Sequence, residues 1–278
     1  MWATEADIPE VRRFLEAHVT GSMFPIVNLR DHGLNGDHDR SVNFWVLREG
    51  DTITDVLTIS QEGVVFPQCP LMNWAAIKPA LRDRGIQGFI GARDQVRSLQ
   101  KALGLDNANA FLNHDEPQFD LDLENLKVPD GPDHIIPIAK APEDIIRAWM
   151  LDYQMNALHM AEMPARAAVE NSYASYCSKQ SHVVLMEGET PISMTGFNAR
   201  LPDIVQIGGV YTPPELRGKG YARRAVALHL EQARNQGVTR ATLFASGPSA
   251  VAAYKAIGFN QIGDWTLCLF NEVQYANV

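Results

Sequence analysis

A glycine-rich turn in the last quarter of the chain has the composition of an anion-binding site. It lies between an apolar run at residues 204–211 and an amphipathic stretch at residues 221–236, and it reads Arg217-Gly218-Lys219-Gly220-Tyr221-Ala222. Glycines at positions 218 and 220 let the backbone approach a ligand closely, and the positive end of a helix dipole favours a phosphate there. The order of elements therefore predicts a strand, a turn and a helix that together hold a pyrophosphate.

The spacing of this turn differs from that of the two best-known nucleotide loops. It lacks the G-x-x-x-x-G-K-[ST] pattern, and the chain has no G-x-G-x-x-G followed by an acidic residue, so we expect neither a P-loop ATPase nor a Rossmann enzyme. The turn resembles the acyl-CoA-binding signature of the GNAT acetyltransferases, [RQ]-x-x-G-x-[GA]. Arg217, Gly220 and Ala222 fill its three specified positions.

A second stretch supports the same resemblance. After a predicted strand at residues 238–245 comes a short helix that resembles the second GNAT signature, Ala250-x-x-x-Tyr254-x-x-x-Gly258-Phe259. Gly247 replaces the asparagine that often opens this signature, so one side-chain contact to the pantetheine arm is missing or is supplied by Ser246. Two signatures in the right order, with a helix and a strand between them, are much more specific than either alone.

The resemblance covers residues 133–270 and implies transfer of an acetyl or other short acyl group from acyl-CoA to the amine of a small molecule. The amine attacks the thioester directly, and Tyr254 is the expected general acid for the departing thiolate; the alternative is that Tyr254 only packs its helix onto the sheet. Backbone N–H groups near the end of the strand would hold the thioester oxygen and the pantetheine amide. The residues expected to bind acetyl-CoA are Val210, Tyr211, Thr212, Arg217, Gly218, Lys219, Gly220, Tyr221, Ala222 and Ser246.

The general base is not readable from the sequence. Many GNAT enzymes carry a glutamate on the strand before the glycine turn, but this chain has Gln206 there, which takes no proton at neutral pH. Helices on the acceptor side are predicted at residues 142–158 and, after a break near residues 163–164, to residue 178. Of the titratable residues on these helices, Asp152, His159, Glu162 and Glu170, we favour His159 or Glu162, which lie near the break. A CoA-binding sensor without turnover is the alternative function.

Composition limits the remaining classes of function. The formal net charge of −9 over 278 residues argues against nonspecific nucleic-acid binding, and no apolar run is long enough to cross a membrane. The three cysteines are irregularly placed, no signal peptide is evident and no Cys/His cluster has metal-ligand spacing. We therefore expect a cytoplasmic protein without a metal; whether it forms a homodimer stays open.

The first half of the sequence repeats the order of elements of the second. Residues 100–105 align with residues 254–259, and Lys, Ala and Gly are identical in the two segments. In place of the glycine turn, residues 66–73 contain two prolines, which have no N–H for a phosphate, and Gln100 stands where the second half has Tyr254. The first half is therefore not expected to bind CoA.

These patterns predict an α/β (α+β) protein with two tandem GNAT-like domains, each a mixed, mostly antiparallel sheet flanked by helices. A connector rich in proline and glycine at residues 129–132 separates them. The predicted domains are a degenerate GNAT-like domain at 1–128, without the CoA signature, and a catalytic acyl-CoA-binding domain at 133–278.

Overall fold

The computed structural model describes residues 1–276. Its helices are α1 (Ile8–Ala17), α2 (Val19–His32), α3 (Trp74–Ile77), α4 (Arg93–Leu103), α5 (Glu143–Asp152), α6 (Glu162–Lys179), α7 (Tyr221–Asn235) and α8 (Pro248–Ala256). Its strands are β1 (Val42–Glu49), β2 (Thr52–Ser60), β3 (Val64–Gln68), β4 (Ile86–Ala92), β5 (Ala110–Asp122), β6 (His134–Pro137), β7 (His182–Glu187), β8 (Thr190–Arg200), β9 (Ile204–Tyr211), β10 (Arg240–Phe244) and β11 (Asn260–Gln274).

The chain divides into two compact units, and each contains a strand from the other half of the sequence. Unit 1 comprises Met1–Glu116 and the chain from Gly263 onward, and unit 2 comprises Pro117–Ile262. Strand β11 pairs antiparallel with β4 in unit 1, and the end of β5 pairs antiparallel with β10 in unit 2. The domains predicted from the sequence, 1–128 and 133–278, are two continuous segments. They therefore do not include this exchange of strands.

In unit 1 the strands lie in the order β1-β2-β3-β4-β11, and only β3 and β4 are parallel. Leu57, Phe89 and Leu99 are among the buried residues that join this sheet to α4. After β3, helix α3 spans only four residues and passes into a 3₁₀ turn, Lys78–Leu81, that contains Pro79. No long helix therefore follows β3.

In unit 2 the order is β5-β10-β9-β8-β7-β6, and only β9 and β10 are parallel. The pairing of β7, β8, β9, β10 and β5 thus repeats that of β1, β2, β3, β4 and β11 in unit 1. Each sheet is mixed, mostly antiparallel and flanked by helices, as the sequence predicts.

Two apolar clusters place the helices of unit 2 on opposite faces of its sheet. Val210 packs against the cluster that contains residues of α7 and α8, whereas Tyr211 belongs to the cluster formed with α5 and α6. Because successive strand residues point to opposite faces, α7 and α8 cover one face and α5 and α6 the other.

The break between the acceptor-side helices differs from the sequence prediction. Helix α5 ends at Asp152 and continues as a π-helical turn, Tyr153–Ala157, while α6 begins at Glu162. Pro164 therefore lies inside the first turn of α6, where its missing N–H removes no helical hydrogen bond. The break consequently lies at residues 158–161, four residues earlier than expected.

Candidate functional site

The turn between β9 and α7 is shaped by two glycines with left-handed backbone. The chain leaves β9 at Tyr211, passes through a 3₁₀ turn, Pro214–Leu216, and reaches Gly218 at φ +79° and Gly220 at φ +85°. Glycine adopts these angles without the penalty that a Cβ brings. A Cβ at position 218 would meet open space, so the glycine there is required by the backbone angle and not by crowding.

The start of α7 exposes several backbone N–H groups to one point. Gly220 is the N-cap residue, it has no side chain to cap the helix, and the Arg224 N–H makes the first helical bond to the Gly220 carbonyl at 3.0 Å. The four N–H groups of residues 220–223 therefore have no helical acceptor. Combined with the helix dipole, they favour an anion at this helix start.

Three cationic side chains flank this site, and the sequence analysis identified only two of them. Arg217 donates from Nε to the Thr212 carbonyl at 3.0 Å and so braces the turn, while Lys219 is exposed. Arg223 Nε is buried and has no hydrogen-bond partner among the described residues, and a Cβ on Gly220 would lie 3.3 Å from Arg223 Nη2. Its guanidinium thus lies against the glycine turn.

Arg224 has a different role, because its Nη2 atom is hydrogen-bonded to the segment before β6. Its Nη2 donates to the Gly131 carbonyl at 2.8 Å and to the Asp133 carbonyl at 3.3 Å. Arg224 therefore ties the first turn of α7 to the connector, and Arg223 is the arginine on α7 that can meet an anion.

Strands β9 and β10 separate just before the glycine turn. Their parallel pairing joins Ile204–Gln206 to Arg240–Thr242 and ends there, whereas β9 continues to Tyr211. On its other side β9 pairs with β8, where Met194 faces Tyr211 and Gly196 faces Gly208, so β9 holds one extra residue. Gly209, at φ +60°, lies in this bulge.

The end of β9 is held rigidly by hydroxyl groups. Ser193 Oγ donates to the Tyr211 carbonyl at 2.9 Å and lies 2.9 Å from the Thr212 hydroxyl. The side chains of Tyr211 and Thr212 are both buried, and Val210 is partly buried. Residues 210–212 are predicted to bind a pantetheine arm. Because their side chains are buried or partly buried, their backbone groups are the ones available on the side where β9 no longer pairs with β10.

Tyr254 lies in the core cluster of α7 and α8. Its side chain is 7% exposed, and its ring meets that of Phe259 edge to face at 6.0 Å. Ser246 is exposed in the loop between β10 and α8. The tyrosine therefore packs the helix onto the sheet. If it also acts as an acid, its hydroxyl donates the proton from within a side chain that is largely buried.

The two residues favoured as general base lie on the acceptor side of the unit. His159 is exposed, with left-handed backbone at φ +54°, in the segment between the π-helical turn and α6. Glu162 is exposed and pairs with Arg166 at 2.7 Å, one turn further along α6. An exposed carboxylate already paired with arginine is a weak candidate for a base.

Asp152, which the sequence analysis considered but did not prefer, is linked directly to the end of β9. Its Oδ2 accepts a hydrogen bond from the Tyr211 hydroxyl at 2.8 Å, and its Oδ1 accepts one from the Asn156 amide at 2.7 Å. Burial, and then the bond to Asp152, raise the pKa of Tyr211, so this hydroxyl stays protonated and donates. The sequence could not reveal the link, because it joins residues 59 positions apart.

Buried polar side chains line the sheet beside the bulge. Among the residues that the structure describes, the Oε1 atom of Gln206 has no hydrogen-bond partner, while its Nε2 donates to the Ile207 carbonyl at 2.6 Å. The His182 ring stacks on Tyr176 with centroids 3.5 Å apart, and burial lowers the pKa of His182 to about 3. At neutral pH neither residue carries charge, and neither is basic enough to hold the proton of an ammonium ion.

Within residues 1–276 no group of three or more metal-ligating side chains is found, and none of the helices in this range combines the length and apolarity that a bilayer crossing requires.

Comparison with known proteins agrees with this geometry. Residues 143–259, from the start of α5 to the end of the second signature, match the model of the Acetyltransferase (GNAT) family. No curated protein sequence matches the chain significantly.

Solved structures resemble the chain over nearly its whole length. A Drosophila protein has a TM-score of 0.62 at 16% identity, and the match covers 97% of both chains. A tandem GNAT protein from the clavulanic acid biosynthesis pathway has a TM-score of 0.56 at 14% identity, over 96% of this chain and 98% of that one. A GCN5-related N-acetyltransferase from Kribbella flavida has a TM-score of 0.56 at 14% identity, over 93% and 98%.

Identities this low establish likeness of fold and nothing finer. The family model, by contrast, covers the glycine turn, the separated strands and Tyr254. Residues 143–259 therefore form a GNAT acetyltransferase domain.

Proposed function

We propose that this protein is an N-acetyltransferase that moves the acetyl group of acetyl-CoA, or another short acyl group, to the amine of a small molecule. The observation that carries the proposal is the separation of β9 from β10 directly before the glycine turn. The gap supplies backbone for a pantetheine arm, and the start of α7 supplies unpaired N–H groups and Arg223 for the pyrophosphate.

Different residues bind different parts of acetyl-CoA. Backbone N–H groups of residues 218–222 hold the pyrophosphate, with Arg217, Lys219 and Arg223 adding positive charge. The N–H groups of Val210 and Thr212 hold the thioester oxygen and the pantetheine amide. Oriented in this way, the thioester carbon can be attacked by a bound amine without a covalent enzyme intermediate.

Proton transfer involves Tyr254, whose hydroxyl protonates the sulfur of the departing thiolate. Its buried position favours this role over contact with bulk water, and a tyrosine needs no shifted pKa to act as an acid. The same burial also suits a purely structural tyrosine, so a substitution must decide between the two.

Unit 1 is proposed to lack a CoA site. The region after β3 has only the four-residue helix α3 where unit 2 has α7, and Pro67 lies within β3. Gln100, the counterpart of Tyr254, is buried and donates to Cys268. The domains proposed from the sequence, 1–128 and 133–278, thus differ in function, and the three free cysteines suit a reducing cytoplasm.

One observation favours a second candidate function, a CoA-binding sensor without turnover. Gln206 occupies the strand position at which many GNAT enzymes carry a glutamate, and an amide accepts no proton. Such a sensor would bind acetyl-CoA as tightly as an enzyme does and release no free CoA when amines are added.

The experiment that separates the two is multiple-turnover release of the CoA thiol, with mass spectrometry of the acylated product. We expect release that depends on an added primary amine, and a fall of about 100-fold in kcat for Tyr254→Phe, with acetyl-CoA affinity unchanged. Binding of acetyl-CoA without release by any amine would support the sensor. Equal turnover in Tyr254→Phe would remove Tyr254 from the mechanism.

A further inference from the structure

Asp152 is a carboxylate without a counter-charge at the acceptor side of unit 2. Its two hydrogen-bond donors, the Tyr211 hydroxyl and the Asn156 amide, are both neutral. Within residues 1–276 no arginine, lysine or histidine forms an ion pair with it. The carboxylate is therefore oriented on two sides and forms no direct ion pair, and the nearby Arg217 guanidinium lies 5.9 Å from the centroid of the Tyr211 ring.

Its position follows from the strand that it touches. Tyr211 is the last residue of β9 and lies between Val210 and Thr212, the two residues whose backbone is proposed to hold the thioester. The Tyr211 ring points to the face covered by α5 and α6, where it packs beside Trp149 with ring centroids 5.8 Å apart. Asp152 thus lies one side chain away from the acyl site, on the face opposite α7.

The backbone next to Asp152 also has a special conformation. Asp152 ends α5, and the π-helical turn Tyr153–Ala157 follows immediately. Such turns inside helices occur frequently at functional sites, because the widened turn redirects side chains. The Asn156 amide, four residues after Asp152, donates to the carboxylate and helps to orient it, as side chains at i and i+4 do in helices.

We infer that the acceptor is a primary amine that enters as its ammonium ion, and that Asp152 binds this ion and takes its proton. The inference rests on the proposed acetyltransferase function. An aliphatic amine is protonated at neutral pH, as the lysine pKa of about 10.4 illustrates, so it must lose a proton before it can attack. An oriented carboxylate without a direct ion pair, beside the acyl site, performs both tasks.

The step balances as follows. A proton moves from the ammonium nitrogen to a carboxylate oxygen of Asp152, and the neutral amine forms a C–N bond to the thioester carbon while the C–S bond breaks. The sulfur leaves with the bonding electron pair and receives the second nitrogen proton through Tyr254. Asp152 then releases its proton to water, so the net products are an amide, free CoA and one proton.

The test uses three amines beside the alcohols that match them: butylamine, 1,4-diaminobutane and 2-phenylethylamine. With the protein saturated with CoA, we expect an amine to raise the unfolding temperature where its alcohol does not, and salt to weaken the effect. Asp152→Asn keeps an acceptor for the Tyr211 hydroxyl but removes the charge. It should weaken amine binding by roughly 10- to 100-fold and lower kcat/KM by about 100-fold or more, with Asp152→Glu restoring part of both.

Asp144→Asn is the matched control, because it removes an exposed charge from the first turn of the same helix. It should leave amine binding and turnover unchanged. Retention of both in Asp152→Asn would overturn the inference, and so would equal stabilisation by amines and alcohols. The second comparison needs no variant, so it decides the matter even if Asp152→Asn does not fold. If the unaltered protein fails to bind acetyl-CoA at all, the proposed function itself fails, which is a different result.

Discussion

Two buried histidines make unit 2 sensitive to mild acid. The His182 ring stacks on Tyr176, and the His229 ring stacks on Phe197 with centroids 3.8 Å apart. Burial lowers the pKa of each to about 3 from an ordinary value of 6.5, with smaller contributions from His229 on His182 and from Arg200 on His229. Both imidazoles are therefore neutral in the folded protein above that pH.

The sign and size of the effect follow from proton linkage. Because the folded pKa lies below the unfolded one, the unfolded chain binds more protons between pH 6.5 and 3, and stability falls as the pH falls through that window. From pH 7 to pH 5 each histidine removes about 1.9 kcal/mol from the free energy of unfolding, and the two together about 3.8 kcal/mol. This is a large share of the roughly 5–15 kcal/mol that stabilises a typical protein.

The assay is urea unfolding at pH 7 and pH 5, for the parent and for His182→Gln and His229→Gln. Gln does not titrate in this range. Between the two pH values, the free energy of unfolding of each variant should therefore fall by about 1.9 kcal/mol less than that of the parent. His134→Gln removes an exposed histidine of unit 2 and should lose as much as the parent. Contributions from carboxylates cancel in these differences. An identical loss in the parent and both variants would refute the reasoning.

Three shorter predictions concern packing, anion binding and thiol reactivity. Gly196→Ala places a Cβ inside the His182 ring, so we expect destabilisation by about 1–3 kcal/mol, read from the urea midpoint; an unchanged midpoint would contradict the packing. Arg223→Gln should weaken acetyl-CoA by roughly tenfold in calorimetry and leave S-acetylpantetheine, which lacks the pyrophosphate, unaffected. Burial raises the pKa of Cys69, so iodoacetamide should label Cys69 only after unfolding and the half-buried Cys177 sooner, as peptide mass spectrometry can check.

Local rules explain why much of the site was predictable from sequence. Gly218 and Gly220 adopt backbone angles that favour glycine, and the apolar period of α7 fixed its start at Tyr221, where the structure has it. The doublet Gly208-Gly209 is typical of a bulge or a close backbone approach. In each case the information lies within a few residues of the feature, so no tertiary contact was needed to read it.

Features that depend on distant segments were not predictable in the same way. The exchange of β5 and β11 between the units produces no signal in the sequence of either strand, because each has an ordinary strand pattern whichever neighbour it pairs with. The bond between Tyr211 and Asp152, and the position of Arg223 against Gly220, arise from packing. For the same reason His159 and Glu162, chosen for their place in the chain, were preferred to Asp152.

Acetyl-CoA binding by the glycine turn is the central claim, and two matched glycines test it directly. Gly220 and Gly237 lie just outside the two ends of α7, both with left-handed backbone, at φ +85° and +95°. Aspartate tolerates such angles better than most residues, so each Gly→Asp change brings a similar backbone penalty, but only Gly220→Asp places a negative charge in the phosphate site.

The measurement is thermal unfolding with acetyl-CoA at about 100 times its dissociation constant, a level at which a ligand adds roughly 2.7 kcal/mol. We predict this stabilisation for the parent protein and for Gly237→Asp. In Gly220→Asp we predict that acetyl-CoA no longer stabilises the protein. Absence of stabilisation in the parent, or equal stabilisation of Gly220→Asp, would contradict the account.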